Sequence, residues 1–89
     1  MAAVLTNETL KDEIAVSVAQ VLASANRKAK EMGVDLKESL ITFTQHLANG
    51  VWGWRVHYGN RDYVGRRGGD LIIDVGAADA DVQHVIRGQ

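Results

Sequence analysis

Ser39-Leu40-Ile41-Thr42-Phe43-Thr44-Gln45-His46-Leu47-Ala48-Asn49-Gly50-Val51-Trp52-Gly53-Trp54-Arg55-Val56-His57-Tyr58 is the stretch that decides the fold. Its apolar residues alternate, and Asn49-Gly50 interrupts them with a dipeptide favoured where both residues of a tight turn need positive φ. The pattern predicts a hairpin of two strands, 39–47 and 51–58. Setting Ala48 opposite Val51 puts Leu47 against Trp52, Gln45 against Trp54, Phe43 against Val56 and Ile41 against Tyr58 on one face. The other face then carries Thr44 opposite Arg55, Thr42 opposite His57, and His46 opposite Gly53. One face is apolar and one polar, as a sheet covered on a single side requires, and a slip of one residue would scramble both.

Upstream of the hairpin the period is helical. Leu10, Ile14, Val18, Val21, Leu22, Ala25, Ala29 and Met32 recur at steps of three and four, which predicts one helix over about 7–32. Thr6 or Asn7 can cap its start, Glu8, Asp12 and Glu13 suit its positive end, and Gly33 supplies the stop. Downstream, strands are expected at about 70–75 and 82–87. With Val75 facing Val82, Ile73 meets His84, Leu71 meets Ile86 and Asp70 meets Arg87. Ile72 and Val85 then point outward, an apolar patch suited to a homodimer. The expected fold is α+β: one long N-terminal helix on a four-stranded antiparallel sheet, order α-β-β-β-β, a single domain over 1–89.

Composition narrows the function classes. The 46% hydrophobic and 24% charged content of these 89 residues is that of a globular chain. There is no cysteine, so disulfides and thiolate metal sites are excluded. A net charge of −1 gives no global field for nucleic acid or acidic lipid. The opening residues lack the basic-then-apolar pattern of a secretory signal, and no stretch approaches a membrane span. The expectation is a cytoplasmic protein, or an extracytoplasmic one if the chain is a trimmed form.

Trp54-Arg55-Val56-His57-Tyr58, Gly68-Gly69-Asp70-Leu71-Ile72-Ile73-Asp74-Val75 and the closing Val82–Gln89 resemble small domains of the PepSY kind. They are also similar to the cystatin-like immunity proteins of bacterial toxin systems. The resemblance covers about residues 38–89. It implies a cystatin-like, non-enzymatic module that binds or inhibits another protein, and it implies no particular site residues.

The residues themselves offer little chemistry. His46 and His57 share the polar face while His84 falls on the other, so three or four ligands do not converge and no metal is expected. No nucleophile–base arrangement is present and no cofactor is called for. Asp74 is placed to approach His57 across neighbouring strands, the acid–base pair of an alternative small-ligand or enzymatic cone. The connector Gly59–Gly69 is the most distinctive segment, its glycines interleaved with Arg61, Arg66 and Arg67. Arginines there can grip carboxylate or phosphate, although a strand follows, not the helix a phosphate loop needs. Trp52 and Trp54, with Phe43 and Tyr58, are read as the main source of buried area, Trp52 also being near enough to the hairpin tip to anchor a partner. The leading reading is protein binding through Thr42, Thr44, Arg55, His57, Arg61, Arg66 and Arg67.

Overall fold

The computed structural model describes residues 6–60 and 70–87. Over these residues the chain forms α1 (Asn7–Lys11), α2 (Glu13–Glu31), a 3₁₀ turn (Leu36–Glu38), β1 (Ser39–Ala48), β2 (Val51–Asn60), β3 (Leu71–Gly76) and β4 (Val82–Arg87). The sheet is antiparallel throughout, in the order β1-β2-β3-β4, with the helix packed on one face. This is the α+β architecture expected from the periodicities.

The helical stretch is broken once. Asp12 leaves helical geometry, and its Oδ1 accepts from Ala15 N at 3.0 Å, so it caps a new helix where the sequence pattern predicts continuity. Thr6 caps the short α1 in the same way, accepting from Thr9 N. Two competing N-caps six residues apart divide the segment because each satisfies amide donors the other leaves open. At the far end Gly33 takes a φ of 86°, and Val34 N donates back to Ala29 O, closing α2 as anticipated.

The hairpin register agrees pair for pair with the alternation, from Ala48 opposite Val51 to Ile41 opposite Tyr58, and both strands run slightly longer. The turn has φ of 54° at Asn49 and 76° at Gly50, the left-handed geometry its dipeptide favours. The β3–β4 register differs from the expectation. Val75 does face Val82, but a bulge follows, and Asp74 then faces His84, Ile73 faces Val85, Ile72 faces Ile86 and Leu71 faces Arg87. One extra residue on β4 therefore reverses the faces beyond it. His84 moves to the outer face, Val85 turns inward against the core, and Ile86 takes the outward place beside Ile72. The apolar patch pairing Ile72 with Val85 does not form.

The core lies between α2 and the centre of the sheet. Val21, Ala25 and Ala29 meet Val56, Tyr58, Leu71, Ile73 and Val75, all essentially inaccessible. Small alanines on the helix let it sit close to the strands. Contrary to the sequence reading, the tryptophans are marginal to this core: Trp54 is half-buried and stacks on Phe43 at 4.8 Å, while Trp52 is 55% exposed. The reason is that α2 packs chiefly on β3, with lesser contact to β2 and β4 and at most marginal contact with β1. None of the described helices is long and apolar enough to cross a membrane.

Tyr58 is the one buried residue of the core with a polar tip. Its hydroxyl donates to Asn26 Oδ1 at 2.6 Å, and burial pushes its pKa up to about 12. An unfolded tyrosine ionises near 10 while the folded one holds its proton, so stability falls as pH rises between those values. Tyr58→Phe is expected to cost about 1 kcal/mol at neutral pH and to remove that alkaline decline in denaturant titrations. Gly50→Ala meets no atom within 4 Å, so its expected loss of about 1 kcal/mol is conformational alone, read as a lower denaturation midpoint with unchanged slope.

Candidate functional site

No element covers the second face of the sheet among the described residues, and the side chains there converge. Alternation along β2 sends Gly53, Arg55, His57 and Gly59 outward, a row with a glycine at each end. Pairing with β3 sets Arg55 opposite Asp74 and Gly53 opposite Gly76. Arg55 Nε donates to Asp74 Oδ1 at 2.7 Å and Nη2 to Oδ2 at 3.0 Å, a bidentate pair. The Asp74 side chain is 7% exposed and that of Arg55 41%, so the carboxylate is the buried partner.

Two imidazoles complete the surroundings of Asp74. The bulge brings His84 Nδ1 to 3.9 Å from Asp74 Oδ2, and His46 approaches from β1 across Gly53. His46 Nδ1 is buried with no hydrogen-bond partner among the described residues. The hydrogen bonds from Arg55 hold the Asp74 carboxyl below its ordinary 3.8; burial opposes this, and the charges of Arg55, His46 and His84 reinforce it. Asp74 in turn raises the Arg55 guanidinium.

Gly53 floors a half-open groove of about 590 Å³, bordered by His46, Trp52, Arg55, Asp74, Gln83 and His84. Gly53 and its β3 partner Gly76 leave little room above the backbone. A Cβ on Gly76 would come within 2.6 Å of Asp79 Oδ1 and 2.9 Å of Gln83 Nε2, and one on Gly53 within 3.2 Å of the Val75 carbonyl oxygen.

The expected pairing of His57 with Asp74 does not occur. His57 Nε2 is instead 2.9 Å from Asp70 Oδ2, a second, half-exposed cross-strand pair with Gly59 leaving room beside it. The acid–base alternative thus loses its dyad, since Asp74 is committed to Arg55. A carboxylate held well below neutrality makes a weak proton acceptor. Thr42 and Thr44 lie exposed on this face, with Thr44 Oγ1 donating to Arg55 O at 3.4 Å. Arg61, Arg66 and Arg67 lie outside the described residues. Among those described, no group of three or more histidine, aspartate or glutamate side chains is placed to hold a metal ion.

Sequence reasoning placed Arg55, His57, Thr42 and Thr44 on one face, and the structure brings them together there. It missed His46 as a groove wall, His84 on this face, and both ion pairs. The signal for the pairs was the β2–β3 register, which the Gly59–Gly69 connector, lacking a fixed turn length, left unspecified. No protein-family model, curated protein or solved structure matches the chain.

Removing one partner of the central pair should have unequal effects. Arg55→Ala strands a buried charge and is expected to cost about 3 kcal/mol, the lower end of the range because the guanidinium is partly solvated. Asp74→Asn leaves a solvated cation and should cost about 1–2 kcal/mol. Asp74, with its folded pKa depressed, stabilises the fold above the unfolded value of 3.8, and that contribution is lost as pH falls through the lower folded value. Asp74→Asn should therefore flatten the acid limb of stability measured by urea unfolding.

Proposed function

We propose that this chain is a small, non-enzymatic protein-binding module that engages its partner through the outer face of the sheet, in the manner of an inhibitor or immunity-type protein of cystatin-like architecture. The observation that carries the reading is the bidentate Arg55–Asp74 pair set into a four-stranded face that no described element covers. Two of the five guanidinium donors are used to lock the side chain in place, and the rest remain for a partner. The groove beside it is open rather than enclosed, which suits recognition better than the water-excluded chemistry of an active site. Exposed Val51 and Ile86 border the polar centre, giving the mixed surface typical of protein interfaces. Arg61, Arg66 and Arg67, which fall between β2 and β3 in sequence, are included in the reading for their capacity to grip carboxylates.

Quantitative affinity capture from native lysate tests the reading with three proteins: wild type, Thr42→Arg/Thr44→Arg on the outer face, and Arg61→Ala/Arg66→Ala/Arg67→Ala. Wild type is expected to recover a partner that the threonine double variant loses while keeping its far-ultraviolet dichroism. The arginine variant should retain it at reduced yield. Identical recovery by all three proteins, or enrichment of nothing by wild type, would sink the proposal.

A further inference from the structure

The opposite face of the sheet is unfinished on one side. The four strands are about 19 Å across at their usual spacing, and one helix, about 10 Å wide, covers roughly two of them. Because α2 lies over β3, the inner side of β1 and the tip of β2 form a strip about one helix wide that no described element covers. Ile41, Leu47 and Trp52 are exposed along it.

The helix has the complementary defect. Its buried stripe runs through Ala29, Ala25 and Val21, and helical spacing continues it through Val18 to Ile14. By Ile14, about 10 Å along the axis from Val21, the stripe has left the sheet and the side chain is 71% exposed. Leu10, in α1, is exposed as well. An apolar helical stripe without a sheet and an apolar sheet strip without a helix thus occur in the same chain.

The bare side also has an undefended edge. β1 runs ten residues without lysine, arginine, aspartate, glutamate or proline, in a chain that is 24% charged. The other edge, β4, is six residues long, bulged, and carries Arg87. Edges meant for water are usually blunted as β4 is, and β1 is not.

We propose that two copies of this chain pair about a twofold axis, the N-terminal helical overhang of each lying on the bare β1–β2 strip of the other. The five exposed side chains present about 600 Å² of apolar surface per copy, and a standard interface of about 800 Å² per partner that is about 65% apolar needs somewhat less. The pairing uses the inner face and meets the outer groove only at Trp52, so Ile14→Asp and Leu47→Lys, which lie away from that groove, separate failure of the dimer from failure of the partner reading above.

Sedimentation of the full chain over a concentration series, with Ile14→Asp, Trp52→Lys and their equimolar mixture, tests the arrangement. Wild type is expected at twice 9.7 kDa, with Trp52 emission shifting to the blue as dimer forms. Each variant should weaken association about 30-fold or more. The mixture should partly restore it, because the intact helix of one variant meets the intact strip of the other. Leu47→Lys replaces Trp52→Lys if that variant loses its far-ultraviolet signature. A wild type that stays at 9.7 kDa at every concentration, a dimer indifferent to both variants, or a mixture no tighter than its components would each overturn the proposal.

Discussion

Two backbone angles at the hairpin tip govern which side chains meet water. A two-residue turn allows no slack, so once Asn49 and Gly50 adopt positive φ, Ala48 must face Val51 and every later pair follows. The parity set there puts Val56 and Tyr58 under α2 and sends Arg55 and His57 outward. It passes across the sheet through β2, whose pairing with β3 turns Ile73 inward and Asp74 outward. A strand slipped by one residue would bury a guanidinium and expose a tyrosine together, and it is this double penalty that makes the arrangement single-valued.

Within that frame the molecule divides into a finished and an unfinished half. Over β3 the helix meets the sheet through alanines and valines, and the contact is dry enough to move the ionisation of Tyr58. Among the described residues nothing comparable covers β1, and Trp54, at the margin of the core, stacks on Phe43. One helix of this width cannot close a four-stranded sheet. The division therefore follows from α2 being the described helix that packs on the sheet.

Legibility in the sequence tracked how tightly each connection constrained its neighbours. The β1–β2 pairing could be read residue by residue because Asn49-Gly50 sets loop length and turn type together. The β3–β4 pairing could be read only at Val75 and Val82. The bulge beyond them has no marker in Gly76–Asp81, and with it went the true positions of His84, Val85 and Ile86. The break at Asp12 was hidden because apolar spacing continues across it, while the deciding quantity is a side-chain cap. The Arg55–Asp74 pair joins residues separated by a connector of unconstrained length, so no local pattern could announce it.

The bulge in β4 has one more effect, on the ways copies of this protein can join. A strand bulged at Gln83 and ending in Arg87 makes a poor template for another strand, whereas β1 runs ten residues without a lysine, arginine, aspartate or glutamate. Among the described strands, β1 is therefore the one edge suited to pairing. An object with one such end closes after two members and cannot lengthen into a filament. For the proposed pair of copies, a bulge of one residue thus removes the second edge from which a filament would lengthen.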